Sequence, residues 1–309
     1  MSDLFELCEP IDKVDADLLL ARFEAIYKTD GEIDFLIDRT VDIDLFSEVI
    51  DDFDPLVAVE KFFIAQPISS KQAKQPIALL RLRNDKKFNE YVPQLIELLL
   101  EQKGYDSTRQ IVCGWGNSTE SLDVIKTSFM KNSVAQLENS KKSYFLRWYD
   151  PRVQYVFQNL APEVLYLHHL KAYKSWEYLH PTGLYRKTFF ETAFKFNNVY
   201  PKSVIDFLMM CEDVNSINKY LINKDIPSNQ IEPMRTYEHL ILIRGNSANI
   251  EFGVISELVY WFYMISPNLI EHEEIKALWH KEDYEQILET LNTYSDLEIE
   301  VLKRDVVNG

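Results

Sequence analysis

Glycine is scarce in this chain, 8 of 309 residues, so glycine-rich phosphate cradles and flexible linkers have little material to draw on. Cysteine is scarcer still. Cys8, Cys113 and Cys211 are widely scattered and odd in number, which argues against a disulfide framework and against the paired spacing of a zinc site. Long apolar runs are missing too: the longest, "LVYWFYMI" at 258–265, is far short of bilayer thickness and follows Glu257 directly. The opening "MSDLFELCEP" carries acids where an export signal carries lysines. These absences predict a protein of a reducing cytoplasm, with no membrane span and no signal peptide. There is no internal repeat and no low-complexity tract.

What is present is a composition of 46% apolar and 27% charged residues, that of a soluble globular chain long enough for one large domain or two ordinary ones. Aromatics reach 13% and supply core volume or partner anchors. The net charge of −16 is uneven: −13 over residues 1–62, +6 over 139–203 and −11 over 204–309. Acidic ends argue against nucleic acid or an anionic membrane as the main partner. The basic middle suits an acidic protein surface or an acidic part of the same chain.

Local patterns alternate through the first half. The spacing of Leu18, Leu19, Phe23, Ile26 and Tyr27 predicts a helix over 15–28. "EIDFLID" (32–38), "PIALLRLR" (76–83), "RQIVCGW" (109–115) and "YFLRWY" (144–149) read as four strands. Between them, helices are expected from Pro93 to about Gln102, and after Ser118 as N-cap with Leu122, Ile125 and Phe129 on one stripe. Beyond residue 200 the period is helical, with helices expected at 202–211, 214–223, 250–265, 272–280, 281–292 and 296–305, and Pro201, Pro227, Pro233 and Pro267 as breaks. Strands alternating with helices predict an α/β lobe, residues 1–165, with a mostly parallel or mixed sheet and flanking helices. An all-α lobe, residues 166–309, follows as the partner-specificity region.

"SYFLRWYDPRV" (143–153) concentrates the chemistry. Asp150 is placed to cap the helix that Pro151 begins, where the missing N–H costs nothing. Arg147 and Arg152 lie close enough to bond Asp150 or a neighbouring carboxylate in bidentate fashion. Nothing nearby supplies a nucleophile, a metal or a glycine cradle, so the triplet reads as a clamp at a strand-to-helix corner. The rival reading is a hydrolase or nuclease site around Arg147, Asp150 and Arg152.

Two segments, "CGWGNSTESLDVIKTSFMKN" and "YFLRWYDPRVQYVFQNLAPEV", resemble the core of the bacterial type VI secretion effector-chaperone family, the adaptors often called Tap or Tec. The matching pattern is a Trp and a Ser before a helix, then R-[FW]-Y-D-P-R-V, here Trp115, Ser118, Arg147, Tyr149, Asp150, Pro151 and Arg152. "FLIDRT" (35–40) resembles the family's first strand with its terminal aspartate, Asp38, and "QPIALLRL" (75–82) a later one. The resemblance covers about residues 30–165. It implies a non-enzymatic cytoplasmic carrier without a cofactor, which binds a toxic effector and loads it onto the VgrG or PAAR tip of the spike. It leaves the effector and the oligomeric state open.

Other features weigh toward structure. His168, His169 and His180 make a weak metal set; "HEEIK" (272–276) has Lys276 where a zinc helix needs its second His, and His272 and His280 read as surface residues. "GWGNS" (114–118) lacks the order of a phosphate loop or a nucleophile elbow and reads as a tight turn packed beside Trp115. Cys113 reads as a small buried apolar residue. Asp51 and Asp52, and Glu273 and Glu274, read as solvated charge. Two aromatic stretches are candidate partner surfaces: 168–190 with Tyr173, Trp176 and Tyr178, and 257–265 with Tyr260, Trp261 and Tyr263, although a helix apolar nearly all round, as the second is, reads first as buried core.

Overall fold

The computed structural model describes residues 6–38, 54–55, 77–105, 110–118, 120–132, 134–136, 143–160, 170–188, 202–247 and 249–308. The chain forms two compact units, Met1–Cys211 and Glu212–Gly309.

The first unit is built on a seven-stranded sheet. Its strands are β1 (Glu6–Pro10), β2 (Ile33–Asp38), β3 (Asp54–Pro55), β4 (Ile77–Leu82), β5 (Val112–Asn117), β8 (Ser175–His180) and β9 (Gly183–Thr188), in the order β1-β9-β8-β5-β2-β4-β3. Strands β6 (Val134–Gln136) and β7 (Ser143–Phe145) form a separate two-stranded ribbon. Every pairing among the described strands is antiparallel, which corrects the expectation of a mostly parallel or mixed sheet. The physical source of the error is visible. Strand β2 is buried at all six positions, so it reads as the continuous apolar run typical of parallel sheets. Helix α2 (Asp85–Glu101) joins β4 to β5, which run the same way but lie on either side of β2. A strand–helix–strand pattern therefore appears without a parallel ladder.

One face is covered by α1 (Ala16–Asp30) and α2. Leu19 and Phe23 of α1 and Val92, Leu95 and Leu99 of α2 pack on Ile33, Phe35 and Ile37 of β2 and on Trp115 of β5. Asp15 caps α1, its carboxylate accepting from the Leu18 N–H at 2.8 Å, and Gly31 ends the helix at φ +73°, a left-handed conformation glycine adopts without Cβ strain. Helix α2 starts at the Asn84 cap, two turns before the expected Pro93. Pro93 sits in its interior, tolerated because Phe88, Tyr91 and Val92 extend the buried stripe.

The other face carries the alternate positions of β2 and supports α4 (Pro151–Leu160). Here "GWG" finds its reason. Trp115 points into the α1 side, while Gly114 and Gly116 leave room for the Trp176 ring on the opposite side; a Cβ on Gly114 would stand 2.6 Å from that ring. Helix α3 (Leu122–Asn132) is capped by Ser121 and not by the expected Ser118.

The second unit is all-α. It contains the later part of α5 (Lys202–Asn223), then α6 (Pro233–Asn246), α7 (Phe252–Met264), α8 (Glu273–His280), α9 (Tyr284–Thr293) and α10 (Asp296–Asn308). Helix α5 is continuous where two helices were expected. Pro233, read as a break, is the first residue of α6, which the sequence reading did not assign. Strands β8 and β9 fall within the 166–309 span assigned to an all-α lobe, and both belong to the sheet of the first unit. Among the described residues no helix is long and apolar enough to cross a membrane.

Candidate functional site

The expected fourth strand, 144–149, is a strand only to Phe145. The chain then turns through Arg147–Asp150, the Asp150 N–H bonding the Arg147 carbonyl at 3.0 Å. Pro151 opens α4 as expected, and Asp150 caps it. Its Oδ1 accepts from the Arg152 N–H at 3.0 Å, and its carbonyl accepts from the Gln154 N–H at 2.8 Å.

The Arg152 guanidinium also folds back onto this carboxylate as a fork, Nε to Oδ1 at 2.9 Å and Nη2 to Oδ2 at 2.7 Å. Arg147 lies between two acids: its Nη2 donates to Oδ2 of Asp38, at the end of β2, at 2.6 Å and stands 3.7 Å from Asp150. Asp38 and Asp150 are buried, whereas the Arg147 side chain keeps 44% of its surface exposed. Burial alone would raise the Asp150 carboxyl; the bonds and charge of Arg152, with the charge of Arg147, outweigh it and hold it below its ordinary value.

Neighbouring titratable groups are held neutral. Burial, reinforced by the charges of Asp38 and Asp150, pushes the Cys113 thiol well above its usual range. Burial likewise raises the Tyr149 hydroxyl, with Asp38 adding to it. His180 stacks on Tyr155 at 4.2 Å between ring centroids, and burial beside Arg152 lowers it to about 3. The corner is thus an ion-paired clamp whose acids are engaged. Among the described residues no three side chains of the metal-binding types come together.

The structure gathers Asp38, Arg147, Tyr149, Asp150, Pro151 and Arg152 into this one corner. Trp115 lies on the other face of the sheet, edge-on to Phe23 at 5.1 Å. Ser118 Oγ donates to the Ala172 carbonyl and accepts from the Glu120 N–H, bracing a turn. Tyr173, Trp176 and Tyr178 are all buried, so they offer a partner no surface. Trp261 is buried as well. Tyr260 and Tyr263 are half-buried, and the Tyr263 hydroxyl is spent on the Glu232 carbonyl at 3.0 Å and Thr236 at 3.0 Å. His168, His169, Asp51 and Asp52 lie outside the described residues.

Sequence reasoning missed two further clamps and a buried amide. Arg81 and Asp34, directly opposed on β4 and β2, bond as a fork at 2.6 and 2.7 Å. Arg22 of α1 grips Glu177 of β8 at 2.6 and 3.1 Å, and Trp115 Nε1 donates to the same carboxylate at 3.1 Å. Gln154, fully buried, donates to the carbonyls of Cys113 and Tyr149 and accepts from Trp176 Nε1. For Asp34 and Arg81 the available signal was a lone charge inside an apolar strand, which demands a partner without naming it.

No protein-family model, no curated protein and no solved structure matches this chain.

Proposed function

We propose that this chain is a bacterial cytoplasmic adaptor of the type VI secretion effector-chaperone kind. In this reading it binds a toxic effector and helps to load it onto the VgrG or PAAR tip, without performing a reaction of its own. The observation that supports the reading is the condition of Asp150. In an R-x-Y-D-P-R corner that resembles the family motif, this carboxylate is buried, capped onto a helix and forked by Arg152. An aspartate so engaged braces backbone; a hydrolytic aspartate needs an oxygen directed at substrate or water.

Affinity-tagged full chain purified from its native bacterium tests the proposal. A toxin and a spike protein are expected to co-purify; recovery of neither overturns it. The hydrolase or nuclease alternative makes a separate demand, that Asp150→Asn abolish a measurable turnover while the fold persists. The adaptor reading expects lowered stability and an unchanged background on nuclease, esterase and phosphatase substrates.

A further inference from the structure

The last helix of the second unit has two apolar sides and only one is used. Leu302 and Val306 of α10 are buried, packing toward the turn at Pro267–Glu271. Leu297 and Val301, one turn apart on the opposite side, are 72% and 46% exposed. One further turn along that row stands the exposed Asp305. Asp305 and Val306 also line a cleft of about 550 Å³ whose remaining walls are Asn268, Glu271, His272 and Glu273. An apolar row therefore runs into an acid-walled recess.

The charge around this row is one-sided. Residues 271–305 carry eleven acids against four bases, a net −7. Some of these acids have local duties. Glu298 takes the Ser295 N–H and hydroxyl in a capping box, Glu300 pairs with Lys303, and Glu271 pairs with Lys276. Glu273 and Asp305 are in no ion pair with any described residue, and both face the cleft.

We propose that this face of α10 and the adjoining cleft form a docking surface for a cationic amphipathic helix of another protein. Its leucine-like residues would cover Leu297 and Val301, and a lysine or arginine would enter the recess toward Glu273 and Asp305. Charge decides among the occupants. A second copy would set −7 against −7, and an anionic membrane or a nucleic acid would meet the same repulsion. A helix bearing both apolar residues and bases answers both halves of the surface. The inference goes beyond the adaptor reading and stands or falls separately from it.

The test uses the full chain and a fluorescein-labelled synthetic helix of leucine and lysine, with leucines at helical spacing, read by anisotropy at low ionic strength. Binding is expected, and a matched helix with glutamate for lysine is expected not to bind. Leu297→Ser with Val301→Ser should weaken binding at least about tenfold, as should Glu273→Lys with Asp305→Lys. Glu97→Lys with Glu101→Lys, an equal charge change on exposed positions of α2, should leave affinity within about twofold. All six positions are exposed, so circular dichroism melts of the variants should match the parent. The proposal is overturned if the lysine helix does not bind, if the serine pair changes nothing, or if both charge pairs weaken binding equally. It is also overturned if sedimentation reveals a dimer that the serine pair dissolves.

Discussion

At the scale of single residues, Asp150 carries most of the testable chemistry. Asp150→Ala removes the cap of α4 and the partner of Arg152 together, and should cost about 2–3 kcal/mol in urea unfolding. Asp150→Asn should cost less, because its amide oxygen still accepts from the Arg152 N–H. Since the carboxyl is held below its ordinary value, its stabilisation is complete above the ordinary carboxylate range and fades as pH falls toward the lowered value. The gap between parent and Asp150→Asn should therefore narrow below about pH 4, with the unfolding midpoints as the measurement. His180 acts at higher pH. It stays neutral in the fold down to about 3, while the unfolded chain takes up its proton near pH 6.5. Falling from pH 7 to 5 should cost the first unit about 2 kcal/mol through this residue, and His180→Phe should flatten that slope. A failure of the slope to change would show that the ring reaches solvent.

At the scale of elements, one amide and one glycine pattern hold β5, β8 and α4 in place. Gln154→Leu would strip partners from the Trp176 indole N–H and from the Cys113 and Tyr149 carbonyls, all buried. A loss of about 3 kcal/mol is expected, with the near-ultraviolet signal of Trp176 altered. Gly116→Ala should be worse tolerated still, since its Cβ would stand 2.2 Å from the Ser175 carbonyl oxygen. Gly245→Ala, inside α6 with nothing within 4 Å, should instead stabilise by about 0.5–1 kcal/mol. Much of this level was legible. The Asp150 cap, Pro151 at the start of α4 and the cores of β2 and β4 follow from local chemistry. Ser118 was misassigned because hydroxyls cap turns as readily as helices, and Pro93 because tertiary packing of Phe88 and Tyr91 overrode a local rule. The clamps of Arg22 with Glu177 and Arg81 with Asp34 were not legible, since the partners lie 155 and 47 residues apart. Only the strand register brings them together.

At the scale of the whole molecule, the division of the chain is itself a prediction. The end of the strand–helix alternation suggested a cut at 165/166, whereas the compact units divide at Cys211/Glu212. The difference arises because β8 and β9 read from sequence as a basic, aromatic connection, while in the fold they continue the sheet outward from β5 and meet β1 at its edge. A fragment ending at 165 would leave β5 as an unpaired edge and uncover Trp115 and Gly114. It would also remove Glu177 from Arg22, leaving the guanidinium half-buried without its carboxylate. Such a fragment should aggregate or show no cooperative melt. The second unit has its own core, including Val214, Ile217 and Leu221 of α5 with Leu240, Val259 and Phe262. A fragment of 202–309 keeps α5 whole and should be helical by circular dichroism with a cooperative melt. If the 165-residue fragment melts cooperatively and the 202–309 fragment does not, the boundary at 165/166 is the right one. The sheet continuation through β8 and β9 would then be dispensable, and with it the Arg22–Glu177 clamp.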